Sequence, residues 1–140
     1  MTSTARSLAA STGRAAEDGR PVGVVVVDDS LVFRTGMTRA VKACAGLELV
    51  GEADGGQSGL DAIAALEPDL VILDLQMPDL DAIEVLRRLR ADDRRCRVLV
   101  ISAVLDDERE QEILGAGADG CLSKAASRAD ICAAALGLTQ

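Results

Sequence analysis

Five polar side chains carry the chemical interest of this 140-residue chain. Asp28 and Asp29 end the apolar run VVVVDD, Asp74 ends LVILD, Ser102 ends VLVIS, and Lys124 closes GCLSK. Each has a plain explanation on its own: an Asp or Ser after a strand often caps a helix or makes a turn, and a lysine is usually a surface charge. The five together are harder to dismiss. In an open parallel sheet the strands' carboxyl ends share one edge, and ligands bind there. Three carboxylates on such an edge repel, at about 4 Å costing each pair about 1 kcal/mol in water and about 4 kcal/mol at an effective dielectric of about 20. A bound divalent cation offsets that repulsion most simply, and a donor set made only of oxygens favours a hard ion such as Mg²⁺. Carboxylate, Mg²⁺, amine and hydroxyl describe a phosphoryl-transfer site. Asp74 would attack phosphorus and become an acyl phosphate, while the metal, Lys124 and Ser102 hold the transferring oxygens. Ala103 is small enough to leave the pocket open.

The elements needed to bring these residues together are visible as two alternating periods. Short, β-branched apolar runs at Val22–Val27, Leu47–Val50, Leu70–Leu73, Val98–Ile101 and, more weakly, Gly120–Leu122 fit strands of a parallel sheet covered on both faces. Between them lie helical patterns. Phe33, Met37, Val41 and Cys44 recur at three- and four-residue spacing behind Ser30, a candidate N-cap. Leu60, Ile63 and Ala64, then Ile83, Leu86 and Leu89, repeat the pattern; Ile113 and Leu114 mark a weaker segment, and Ile131, Ala134, Ala135 and Leu138 the last helix. Five strand–helix units predict a doubly wound α/β sheet.

Composition narrows the function classes. Nearly half the chain is apolar (49%), yet Phe33 is the only aromatic residue, so the core must be built from Val, Leu, Ile and Ala. The net charge of −8, from 23 acidic and 15 basic side chains, argues against a surface that grips a phosphate backbone. Histidine is absent, which removes the commonest metal ligand and general base. Cys44, Cys96, Cys121 and Cys132 form no C-x-x-C pair and are expected to be reduced, mostly buried thiols of a cytoplasmic protein. Residues 1–21 scatter small and charged residues with no signal-peptide core and are expected to be a disordered tail before a single domain at 22–140. No apolar run reaches the roughly 18 residues a membrane span needs. Arg87, Arg88, Arg90, Arg94, Arg95 and Arg97 are expected to form the solvated side of a helix and its following loop. Asp106, Asp107, Glu108, Glu110 and Glu112 suit the start of another.

The ordered set VVVVDDS, LVILDLQMPDLDAIEVLRRLR, VLVISA and GADGCLSK resembles the motifs of the response-regulator receiver domain of two-component signalling, from about Val22 to Leu138. The resemblance implies a flavodoxin-like (βα)5 sandwich whose five-stranded parallel sheet has the order 2-1-3-4-5. It also implies that Asp74 accepts phosphate from a phospho-histidine on a sensor histidine kinase. Asp29 and Asp74 would ligate Mg²⁺ directly, Asp28 through water, and the backbone carbonyl of Gln76 would complete the protein ligands. Ser102 would swing toward the phosphoryl group and Lys124 would pair with it. The fourth helix and fifth strand would then move, a surface such domains use for homodimers or outputs. On this reading the domain is no enzyme beyond its own phosphorylation and dephosphorylation. The Ser-Ala and Gly-Ala-Asp-Gly spacings resemble most the nitrate-response, LuxR-type subfamily. Its members usually end in a helix-turn-helix, which implies either transcription control through a domain outside these 140 residues or a stand-alone receiver.

Three positions depart from that family's pattern. Cys121 stands three residues before the lysine, where a switching Tyr or Phe is common; Ala125 replaces a frequent cis-proline; Ala82 replaces a loop glycine. None touches the acid pocket. Cys121 keeps open a second function, a pseudo-receiver that docks partners without being phosphorylated. A third, an aspartyl-nucleophile phosphatase of the dehalogenase type, wants a general-acid Asp two residues after the nucleophile, where this chain has Gln76.

Overall fold

The computed structural model describes residues 19–92 and 94–140; most of the expected tail, residues 1–18, lies outside the described residues. Five strands, β1 (Val22–Val27), β2 (Leu47–Ala53), β3 (Leu70–Asp74), β4 (Arg97–Ser102) and β5 (Gly120–Ser123), alternate with five helices. The helices are α1 (Leu31–Ala43), α2 (Gly56–Leu66), α3 (Ala82–Ala91), α4 (Asp107–Gly115) and α5 (Arg128–Leu138). All strand pairings are parallel and the sheet order is β2-β1-β3-β4-β5, as the motifs implied.

Successive residues of a strand face opposite sides of the sheet, and here both sides are covered. Val25, Val27, Val71, Leu73, Val98 and Val100 pack with Ile63, Val85, Leu86, Leu89 and Ile113 of α2, α3 and α4. Val24, Val26, Leu70, Ile72, Leu99 and Ile101 pack with Met37, Val41, Ile131 and Ala135 of α1 and α5. This two-sided burial is why β1, β3 and β4 read as apolar runs, whereas the edge strand β2 exposes Glu48 and Glu52. Each such side chain stabilises the fold by about 1.5–3 kcal/mol. The helices are not anchored equally: α3 buries five residues, whereas α4 buries Ile113 alone.

Polar side chains fix where the helices begin. Ser30, Asp81, Asp106 and Ser127 each accept a backbone N–H from the first turn of α1, α3, α4 and α5, and Ser127 forms a reciprocal capping box with Asp130. The first turn of α2 has no such side chain of its own. Instead Asp79, after β3, accepts the N–H groups of Gly56 and Gln57 at 2.9 and 3.1 Å, so its carboxyl is held below the usual range. A side chain at Gly56 would put its Cβ 2.5 Å from the carbonyl oxygen of Leu80, which explains the glycine at this crossing.

Two expectations are corrected. Cys44 and Cys132 are joined in a disulfide, leaving Cys96 and Cys121 as free thiols. Their Cα atoms stand 5.7 Å apart, an ordinary separation for a disulfide, because α1 and α5 lie side by side on one face although 88 residues separate the two cysteines. Arg90 is no solvated member of a basic stretch. Its guanidinium donates to the carbonyls of Gly117, Arg94 and Cys96 and to Asp119, tying α3 to the turn before β5. Asp119 completes the knot by accepting the backbone N–H of Val98 at 2.8 Å.

Candidate functional site

The strand register brings the acids together. Val27 pairs with Leu73, so Asp28 and Asp74, the next residue on each strand, leave the sheet side by side. Asp29 follows at the mouth of the loop. One carboxylate oxygen from each of Asp28, Asp29 and Asp74 lies within 4.8 Å of the others; Asp28 and Asp74 are buried and Asp29 is exposed. Lys124 leaves β5 on the far side of β4 and reaches across the end of that strand, where Ala103 offers only a methyl group. Its Nζ stands 3.2 Å from Asp28 Oδ2 and 3.2 Å from Asp74 Oδ1. The backbone N–H groups of Ser30 and Gln76 donate to Asp28 Oδ1 and Asp74 Oδ1 at 2.9 and 3.3 Å.

Asp74 is the electrically frustrated member. Burial and then the neighbouring Asp28 carboxylate raise its pKa from 3.8 to about 6, against the opposing pull of Lys124 and the Gln76 N–H. One ammonium does not compensate three clustered acids. The donor set fits a hard divalent cation, since it offers clustered carboxylate oxygens and the chain has no histidine.

A cleft of about 610 Å³ opens over this cluster, lined among others by Asp29, Asp74, Gln76, Ala103 and Lys124. Ser102, expected in the pocket, is buried beside it with its hydroxyl turned onto the following loop. It donates to the carbonyl of Val104 at 2.6 Å and accepts the Val104 N–H at 3.2 Å. Cys121 packs against the α2–α4 face of the sheet, and burial pushes its thiol up to about 11, so it is held protonated.

Two cleft residues were not legible as such. Phe33 reads from its spacing as part of the buried stripe of α1, yet it is 43% exposed and its ring centroid lies 4.1 Å from Lys124 Nζ. Arg109 enters the cleft from the first turn of α4, with Glu112 as its ion-pair partner. The available signal was positional: the first turn of each helix follows the strand's carboxyl end and so borders the same edge.

Comparison with known proteins agrees with this geometry. A family model described as the response regulator receiver domain matches residues 24–136. The chain is 35% identical over 104 residues to the nitrate/nitrite response regulator NarL of Escherichia coli K12, covering 74% of this chain and 48% of that protein. It is 35% identical over 105 residues to the response regulator GacA of Pseudomonas aeruginosa, covering 75% and 49%. The chain thus spans about half the length of the curated relatives it matches. Among solved structures, the signal receiver domain of the response regulator named NarL from Mycobacterium tuberculosis superposes with a TM-score of 0.82 at 38% identity, over 85% of this chain and 96% of that one. CheY in its complex with CheX, BeF3 and Mg from Borrelia burgdorferi gives 0.77 at 27%, over 86% and 92%. With its motifs, sheet order and acid cluster all in agreement, the chain belongs to the response regulator receiver domain family.

Proposed function

We propose that residues 22–140 form a phosphoacceptor switch of a two-component system, preceded by a tail at 1–21, with Asp74 as the acceptor. The observation that carries this reading is the placement of Lys124 Nζ at 3.2 Å from both Asp28 and Asp74, inside a cluster of three acids. Asp74 Oδ attacks phosphorus, the bond from phosphorus to the donor breaks, and the donor leaves with the electron pair. The donor is a phospho-histidine on a sensor kinase, or a small acyl phosphate in its place. Mg²⁺ held by Asp28, Asp29, Asp74 and the Gln76 carbonyl would neutralise charge on the transferring oxygens.

The chain's own groups divide the remaining work. Above a pH of about 6 Asp74 is predominantly the carboxylate the attack requires. Lys124 is already beside the acceptor and pairs with a phosphoryl oxygen once Asp74 carries the acyl phosphate. Ser102 must give up both bonds to Val104 to turn inward, so its swing and the loop before α4 are mechanically linked. That loop leads into the least anchored helix of the fold, which suits α4 and β5 to be the moving surface.

The expected setting is cytoplasmic, with the histidine kinase as partner and a homodimer or a transcriptional output domain as target. The acidic domain itself makes no nucleic-acid contact on this reading, and no helix of the described residues is long and apolar enough to cross a membrane. Incubation with acetyl phosphate and Mg²⁺, followed by intact-mass analysis, is expected to add one phosphoryl group to the wild type and none to Asp74→Asn. An unmodified wild type under saturating donor overturns the proposal.

A further inference from the structure

We propose that Phe33 is a positioning residue for Lys124: its ring holds the ammonium over the acid pair and keeps water from its open side. The inference deepens, and rests on, the phosphoacceptor reading. Lys124 must serve two geometries, paired with Asp28 and Asp74 before transfer and with a phosphoryl oxygen after it. Its side chain is long and flexible, and three carboxylates offer it alternative partners. Two contacts at 3.2 Å leave part of the ammonium uncommitted. The face of Phe33, centred 4.1 Å away, contacts it, and a cation over an aromatic face is attracted by the ring's quadrupole.

The side chain of Lys124 is only 11% exposed although it stands at the edge of a cleft, and Phe33 and Lys124 line that cleft together. The ring therefore contributes shielding as well as attraction, and shielding strengthens the lysine's ion pairs. Phe33 can do this because α1 starts at Leu31, directly after the acid loop. Ser30 fixes that start by accepting the Phe33 N–H at 3.4 Å. Leu31 and Val32 beside it are mostly exposed, so Phe33 is the residue of this turn that folds back onto the site. The chain's only aromatic residue is thus placed against a lysine of the cleft.

The test has a spectroscopic and a kinetic arm, each on the full chain. In proton NMR the Lys124 Hε resonances are expected upfield of ordinary lysine values through the ring current of Phe33. They should return to ordinary values in Phe33→Leu and stay shifted in Phe33→Trp. Kinetically, Phe33→Leu is expected to slow phosphorylation by acetyl phosphate at saturating Mg²⁺ about fivefold, the effect of a partly desolvated cation–π contact. Phe33→Trp should restore the rate. In a Lys124→Arg background the rescue should weaken, since the ring acts through the lysine. Unshifted Lys124 resonances, or a Phe33→Leu protein as fast as wild type, overturn the proposal. A wild type that shows the ring-current shift but takes no phosphate overturns instead the reading on which the kinetic arm rests.

Discussion

Replacing Asp74 by Asn should stabilise the metal-free protein, the opposite of what removing a buried ion-pair partner usually does. The sign follows from the direction of the pKa shift. The folded-state value, about 6, lies above the unfolded value of 3.8, so folding favours the protonated form. Above pH 6 the carboxylate costs stability; as pH falls through 6 toward 3.8 the cost is relieved. At about 1.36 kcal/mol per unit, a shift of about two units, already net of the opposing Lys124 pairing, sets an upper bound of about 3 kcal/mol on the gain from Asp74→Asn at pH 7.5. The experiment is unusually clean because the chain has no histidine, and both free thiols are pushed up to about 11. Asp74 is then the one group of the described residues with a value resolved near 6. Urea unfolding followed by circular dichroism, in chelator, should show wild-type stability rising from pH 7.5 to pH 5 and a flatter profile in Asp74→Asn. Added Mg²⁺ should stabilise the wild type more than the variant. An Asn variant less stable than wild type at pH 7.5, or parallel pH profiles, would refute the frustration argument.

Two further outcomes test the frame around the site. Reducing the Cys44–Cys132 bond, which closes 88 residues of sequence, should lower stability by about 4–5 kcal/mol on the chain-entropy account; denaturation with and without a thiol reductant measures it, and a Cys44→Ala variant should not respond. Ile113→Ala removes the one buried side chain of α4 and should cost about 2–5 kcal/mol, with amide exchange accelerating in α4 before it does in β1 or β3.

The sheet was legible because two-sided burial leaves a strand no polar position, so Val22–Val27 and Leu70–Leu73 announce themselves. The convergence of Asp28, Asp29, Asp74 and Lys124 was legible for a related reason: a parallel sheet places every strand's carboxyl end on one edge. What escaped depends on packing between elements distant in sequence. The Cys44–Cys132 bond needs the lateral distance between α1 and α5, which no spacing along the chain encodes. Arg90 reads like its arginine neighbours, yet its position on α3 aims it at the carbonyl of Gly117, in a turn where φ of +120° demands glycine and where Arg90 Cγ would lie 2.9 Å from an added Cβ. Ser102 was placed on the right strand, but its rotamer follows from two bonds to Val104, and Phe33 fits the helical stripe while lying at its exposed end.

The frustration at Asp74 and the thin anchoring of α4 are two halves of one design. A pocket that were electrostatically content without a ligand would gain little when a cation or a phosphoryl group arrived, and could shift nothing. Here burial and Asp28 make the Asp74 carboxylate unfavourable at neutral pH, with Lys124 and the Gln76 N–H compensating only in part. A positive ligand therefore relieves a standing cost. On the proposed reading, acyl phosphate formation would replace the Asp74 carboxylate in its contact with Lys124, the lysine would pair with the new phosphoryl oxygens, and the Ser102 hydroxyl, on joining them, would release Val104. The loop so released runs directly into a helix held by Ile113, whereas α3, on the same face, has five buried residues and the Arg90 knot to resist displacement. On that reading, the same few contacts that would make the site reactive would also determine which surface yields.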